Sequence, residues 1–248
     1  MSFYFAEKTW VEIQEAIDRN AAIVLPIGTT EEHGRHLPVE TDAMIARAFG
    51  DMLGTACTEK GVRVLVMQTV TYGFSMSIVR KWPGCPNISS RTFSDYIYDI
   101  LDSLIQMGFR KLVMLDCHGN HDCLLRMVMR EIADKHGIFV MTLSPFILSA
   151  DLYKQIKKDP EGDIHGGEWE TSCILYLRPD LVKTDEYTNI DAIKCNNGLR
   201  GPVSTWGLQE TKTGLFGDPS YADAALGRAV LNKAAENGAR YIMEFLKI

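Results

Sequence analysis

Three short stretches of this 248-residue chain hold residues that could build one metal site. They are Gly28-Thr29-Thr30-Glu31-Glu32-His33-Gly34 with Asp42 just beyond, Asp116-Cys117-His118-Gly119-Asn120-His121, and His165-Gly166-Gly167-Glu168-Trp169-Glu170-Thr171. Four of the six histidines fall in them, with several carboxylates. Imidazole nitrogen and carboxylate oxygen without thiolate suit a hydrolytic centre that keeps one coordination position open for water. Glu31 and His33 are two positions apart, so in an extended loop they point the same way and could reach adjacent ions. Asp42 lies at a helix start, where a carboxylate either caps the helix or bridges two cations. His118 sits between a strand end and small residues, a loop position that favours a ligand over a core histidine. His165 and Glu168 are three residues apart at a helix entry, and Gly166 and Gly167 permit close approach of substrate or metal. Glu170 reads as a charge favouring the helix's first turn. His36 and His121 read as supporting groups and Asp116 as an orienting group or a ligand. Cys117 reads as a small buried residue, and Trp82 and Trp169 as packing.

These residues need elements that bring them to one place. Thr9 caps an amphipathic segment to Asn20, and the apolar run from Ala21 to Ile27 reads as a buried strand ending at Gly28. Thr41 or Asp42 caps a helix to about Lys60, Val62 to Val70 returns as a strand, and Ser90 caps a helix to about Met107. Lys111 to Asp116 is a strand entering the second motif, a helix runs on to about His136, and Phe139 to Leu143 is another strand. A polar connection, Asp159 to Asp163, precedes a helix from Glu168 to Leu177. Residues from about Tyr187 to Pro219 read as a long surface excursion before a last helix, Tyr221 to Leu246. Alternating strand and helix predict a mostly parallel sheet covered on both faces. Sites in such folds lie at the carboxyl ends of the strands, so topology alone brings Glu31, His33 and His118 to one edge.

Composition narrows the partners. With 46% hydrophobic and 23% charged residues, the chain is long enough to bury a full core and predicts a single domain over 1–248. A net charge of -6 without a Lys/Arg cluster excludes a nucleic-acid surface and favours a small-molecule substrate. The six cysteines form no CxxC pair and read as reduced thiols. No apolar run approaches the ~20 residues of a membrane span, and the N-terminus lacks a basic region followed by an apolar one, so a cytoplasmic protein is expected.

The stretch from Leu25 to Pro38 through Thr41-Asp42, Cys117-His118-Gly119-Asn120, and His165 to Ser172 together resemble the creatininase (creatinine amidohydrolase) family. Thr9-Trp10, Trp82-Pro83-Gly84 and Gly214-Leu215-Phe216-Gly217-Asp218-Pro219 fit it in the same order. The resemblance implies a three-layer α/β/α sandwich with a mostly parallel central sheet. It also implies a homo-oligomer, often a hexamer, and two divalent ions per chain of zinc, manganese or iron. Glu31, His33, Asp42 and His118 match the family's ligands, with Asp42 bridging, and His165 matches the catalytic histidine. Creatinine-hydrolysing members place a fifth ligand two residues after the histidine matching His118. This chain has Asn120 there, so the glutamate of the His-x-Gly-Glu motif, Glu168, is expected to be the fifth ligand and to serve catalysis beside His165. Ser144 to Ile164 has no tryptophan to cover a creatinine ring, and Ser77 to Lys81 lacks a Glu-His pair found in many relatives.

The chemistry expected is hydrolysis of a C–N bond in a small, cyclic amide by a metal-activated water, with His165 delivering the proton to the leaving nitrogen. The resemblance also admits a formamide of a nucleotide-pathway intermediate or an oxidised cyclitol ring. Arg35, Arg80 and Lys81 are the candidates to hold a phosphate. A non-catalytic, metal-stabilised assembly subunit would close every metal position with protein ligands, and a Cys117–His118 hydrolase would need no metal.

Overall fold

The structure is a computed structural model and describes residues 2–160, 164–188 and 211–248. Four strands form one sheet: β1 (Ala22–Ile27), β2 (Val64–Val66), β3 (Leu112–Asp116) and β4 (Val140–Leu143), in the order β2-β1-β3-β4 and all parallel. Every residue of the first three strands is buried, which explains why they read as unbroken apolar runs rather than alternating ones. Ile23 is opposite Leu112 and Ile27 opposite Asp116, so β1 and β3 end together.

Among the described residues, seven α-helices surround the sheet: α1 (Trp10–Asp18), α2 (Thr41–Glu59), α3 (Ser90–Met107), α4 (Asp122–His136), α5 (Pro145–Ile156), α6 (Glu168–Leu177) and α7 (Ala224–Phe245). Ile23, Leu25, Ile27, Leu112 and Met114 face one side, against Phe93, Ile97 and Leu101 of α3 and Leu125, Val128 and Ile132 of α4. Ala22, Val24, Val66, Val113 and Leu115 face the other, against Phe49 and Leu53 of α2, Leu148 of α5 and Ala234 and Ile242 of α7. The period of two along a strand thus feeds two cores and makes the three layers. No helix among the described residues is long and apolar enough to cross a membrane.

The elements differ from the sequence reading in five places. Helix α3 is capped by Ser89, whose hydroxyl accepts from Thr92 N–H, and Ser90 is its first residue. The connection after β4 holds a helix, α5, begun by Pro145, whose missing N–H suits a first helical position. Its apolar residues are spread around the helix, with Phe146 and Ile147 exposed, so no single stripe announced it. The strand expected over Val62 to Val70 is ladder only at Val64–Val66, and the chain rejoins the sheet at Val70, which bridges to Ile27. Helix α2 has no side-chain cap: the Thr41 hydroxyl donates to Pro38 O, and Asp42 turns inward. Helix α7 starts after Asp223, whose side chain accepts from Leu226 N–H. Of the excursion expected from Tyr187 to Pro219, residues 189–210 lie outside the described residues, as do 161–163 of the polar connection. The part from Thr211 on passes under the third motif, with Leu215 and Phe216 buried and Phe216 N–H donating to His165 O.

Candidate metal centre

Strand order places this site. β1 and β3 are neighbours whose chains continue to opposite sides of the sheet, and their carboxyl ends open a crevice where ligands bind in such folds. Glu31 and His33 follow β1, His118 follows β3, and Asp42 enters on the first turn of α2. The approach of α2 depends on Gly28: a Cβ there would lie 2.5–2.7 Å from backbone atoms of Asp42 and Ala43. Asp116, at the end of β3, accepts from His118 N–H at 3.1 Å and fixes the loop that carries the imidazole.

Asp42 stands at the middle. Its Oδ1 lies 3.2 Å from His33 Nε2 and its Oδ2 2.9 Å from His118 Nδ1. Glu31 Oε1 is 3.5 Å from His118 Nδ1 and 3.6 Å from His165 Nδ1. Glu170 Oε1 is 3.8 Å from His33 Nε2. Two groups therefore have ligand atoms close enough together to share an ion, Glu31–Asp42–His118 and His33–Asp42–Glu170, and Asp42 belongs to both. A third, Glu31–His33–His165, joins them on one side. His33 Nδ1 lies 3.2 Å from Glu31 O, so an N–H there donates to the carbonyl and leaves Nε2 as the lone pair facing the carboxylates.

Buried anions need cations, and in this cluster only imidazoles stand close enough to supply them. Glu31 is fully buried, yet neither carboxylate oxygen has a hydrogen-bond donor, and His118 Nε2 has none either. Leaving such charges unpaired costs several kcal/mol each. The histidine basicities respond. Burial opposes charge on His118, but Glu31 and Asp42 overcome it and hold its pKa at about 9. Burial likewise opposes charge on His33, while Asp42 and Glu170 raise it well above the ordinary value. Asp42, although burial resists its charge, is held far below the usual carboxylate range by His33 and His118. Protons on these imidazoles occupy the electrostatic role of divalent ions, and the all-N/O donor set fits hard or borderline metals.

Glu168 is not among these ligand atoms. Its buried carboxylate accepts from Tyr153 OH at 3.1 Å, Lys158 N–H at 2.7 Å and Asp159 N–H at 3.2 Å, tying the chain after α5 to the start of α6. Helix geometry separates the two glutamates. Two residues turn an α-helix by about 200°, so when Glu168 faces α5, Glu170 faces the crevice. Glu170 Oε2 also accepts from Gly166 N–H at 2.6 Å. The sequence signal for this was the helix period at the third motif, which Glu170's reading as a first-turn charge did not use.

His165 is buried beside the centre, with its ring centroid 4.4 Å from that of His33. Its Nε2 lies 2.7 Å from Glu32 O, so the proton on that nitrogen is directed to a carbonyl and Nδ1 faces Glu31. Burial and His33 oppose charge on His165, but Glu32, Glu31 and Glu170 together raise its pKa. Glu32 is held close: Oε2 accepts from Gly34 N–H at 2.8 Å, and Gly214, at φ 86°, leaves no room for a Cβ against the carboxylate. His36 bonds Thr171 Oγ1 at 2.9 Å, and burial and His33 lower its pKa to about 4, so it is a neutral tie between the first and third motifs. His121 stacks on Phe93 and accepts from Phe74 N–H at 3.1 Å. Burial and the Asp116 and Asp42 charges push the Cys117 thiol well above its usual value, which removes the thiolate that a cysteine hydrolase would need. Arg35 is exposed and paired with Glu186, and neither it nor Arg80 nor Lys81 lines the pocket beside the centre.

A parallel sheet under helices, with imidazoles and carboxylates converging at its carboxyl edge, defines a metal-dependent α/β hydrolase. The chain belongs to the creatininase family, whose model, described as creatinine amidohydrolase, matches residues 6–242. It is 24% identical over 267 residues to the 3-dehydro-scyllo-inosose hydrolase of Thermotoga maritima, covering 98% of this chain and 81% of that protein. It is 27% identical over 204 residues to the creatinine amidohydrolase of Pseudomonas putida, covering 74% and 75%. Against the mycofactocin precursor peptide peptidase of Mycobacterium tuberculosis it is 26% identical over 239 residues, covering 91% and 86%. A crystal structure of creatininase superposes with a TM-score of 0.81 at 24% identity, covering 98% of each chain, so the α/β/α fold is shared. Creatininase has also been solved in a manganese form, and a glutamate-to-glutamine mutant in a zinc–zinc form.

Proposed function

We propose that this chain is a single catalytic unit that hydrolyses a C–N bond of a small, cyclic amide at a pair of divalent ions. Glu31, Asp42 and His118 would hold one ion and His33, Asp42 and Glu170 the other, Asp42 being common to both sets. The observation that carries this reading is the buried Asp42 carboxylate, one oxygen toward each imidazole, beside a Glu31 carboxylate with no donor of its own. Bound ions would acidify a water and polarise the substrate carbonyl. The chain's own residues do the rest. His165 faces the centre through Nδ1 and carries the proton to the leaving nitrogen, while Glu32 O fixes its ring. Glu32's carboxylate supports the charged imidazole. Zinc, manganese or iron each suits the donors. The free cysteines among the described residues fit a reducing, cytoplasmic setting, and a homo-oligomer such as a hexamer is the assembly we expect.

The test is an activity screen of metal-reconstituted protein over cyclic amides, formamides, lactones and oxidised cyclitols. Turnover of cyclic amides that a chelator abolishes and added metal restores supports the reading; turnover of cyclitols or formamides alone would replace it with the family's other chemistry. Creatinine is expected to be a poor substrate. Its small polar ring does not fill a pocket of about 350 Å³ walled by Phe146, Ile147 and Trp169, and the family's creatinine-enzyme glutamate is Asn120 here. A kcat/KM for creatinine inside the roughly 10⁴–10⁸ M⁻¹s⁻¹ range of competent enzymes would contradict this.

Metal uptake should depend on pH with a definite sign. Each ion must displace protons that Glu31, Asp42 and Glu170 hold on His33 and His118, so apparent affinity rises with pH through neutrality and on toward about 9, where His118 gives up its proton. Calorimetry in buffers of different ionisation heats should show protons released on binding below that pH. Binding without proton release at neutral pH would contradict the assignment.

A further inference from the structure

The pocket that opens on the centre has a wall that the hydrolytic machinery does not use. His118 and Glu170 line it together with Pro145, Phe146, Ile147, Ile164 and Trp169. Phe146, Ile147 and Ile164 are 40%, 64% and 50% exposed, three large apolar side chains at one mouth. Phe146 meets the buried Trp169 edge-to-face, with centroids 5.7 Å apart. The charged groups in the described lining besides His118 are Asp116, Asp122 and Glu170, all acidic. The Arg126 guanidinium, next to this rim, is engaged by both oxygens of Asp122. Among the described residues, then, an anionic substrate group would find no free cation and three carboxylates. A polyhydroxylated ring could bond Ser144 and the carboxylates of the lining, but hydroxyls turned to Phe146, Ile147 and Ile164 would find no partner on those side chains.

We propose that the substrate carries, beside the scissile amide, an uncharged apolar group of about the size of a phenyl or isobutyl side chain, seated on Phe146, Ile147, Ile164 and Trp169. The inference rests on the two-metal reading above, because His118 and Glu170 belong to both the centre and the pocket. It sets a substrate class: neutral amides with an aromatic or branched aliphatic substituent, in preference to phosphorylated, carboxylated or polyhydroxylated ones. Burial of apolar area on aromatic anchors is the term that would supply affinity, and anchors of this kind dominate recognition in small pockets.

Hydroxamic acids, which chelate divalent ions through two oxygens, test the wall without needing turnover. Binding of acetohydroxamate, phenylacetohydroxamate and succinate monohydroxamate to the manganese-loaded and zinc-loaded protein is measured by calorimetry. The phenyl compound should bind roughly 10- to 100-fold more tightly than the methyl compound, and the anionic one no more tightly than the methyl. Phe146→Ala and, separately, Ile147→Asp should each cut the phenyl advantage at least several-fold while leaving acetohydroxamate unchanged. Ile147 is mostly exposed, so its substitution leaves the fold intact even where Phe146→Ala does not. Equal affinity for methyl and phenyl, tighter binding of the anion, or a phenyl advantage that survives both substitutions would overturn the proposal. Failure of all three hydroxamates to bind the loaded protein would overturn the two-metal reading itself, and this inference with it.

Discussion

Asp42→Ala should empty at least one metal position per chain. Asp42 is the carboxylate shared by the two ligand groups assigned to the ions, with an oxygen within 3.2 Å of an imidazole on each side. Removing it takes a donor from both ions and leaves two dications facing each other in a buried site without the intervening negative charge, where Coulomb repulsion is poorly screened. Elemental analysis after dialysis reads the result directly, and two ions retained per chain would reject the bridging role. The same measurement separates the two glutamates of the third motif. Glu170→Ala should lower occupancy on the His33 side. Glu168→Ala should leave occupancy unchanged but cost about 1–3 kcal/mol of stability, because the buried Asp159 N–H and Tyr153 hydroxyl and the part-buried Lys158 N–H lose their acceptor. The opposite pattern, metal lost in Glu168→Ala and kept in Glu170→Ala, would restore the ligand expected from the His-x-Gly-Glu motif.

That pair of residues marks the limit of what the sequence tells. The layers were legible because β1 and β3 are buried on both faces and so appear as apolar runs, and because strand and helix alternate along most of the chain. The convergence of Glu31, His33 and His118 followed from topology, since residues just after parallel strands share an edge whatever their side chains. Helix α5 was not legible: Phe146 and Ile147 break its apolar stripe, and they face the pocket rather than a core. The same residues answer the expectation of a site short of aromatic cover. The segment from Ser144 to Ile164 has no tryptophan, yet Phe146 from that segment and Trp169 from the next helix wall the pocket. Which glutamate turns inward at α6 depends on where its first turn begins, a matter of one or two residues that a motif spacing does not fix. His36 and Glu32 carry no signal in the sequence beyond standing near His33, and only three-dimensional contacts with Thr171 and His165 give them work.

His165→Ala should retain both ions and lose turnover by roughly 10²- to 10⁴-fold, the range for a positioned proton donor or acceptor. The imidazole is buried beside His33, its Nε2 proton is committed to Glu32 O, and Nδ1 points toward Glu31 and the centre. In that orientation it can carry a proton between the crevice and a departing nitrogen but is placed at the edge of the ligand groups rather than between the ions. Two consequences separate this role from ligation. Metal content should be unchanged in the variant, whereas a ligand would take an ion with it. The loss should also shrink for substrates whose leaving group departs without protonation, such as anilides with electron-withdrawing substituents, because the missing proton then matters less to the transition state. Rates for a series of such leaving groups, with wild type and variant loaded with the same metal, decide it: an equal loss across the series would show that His165 does not protonate the leaving nitrogen, and loss of metal would make it a ligand through the Glu31–His33–His165 group.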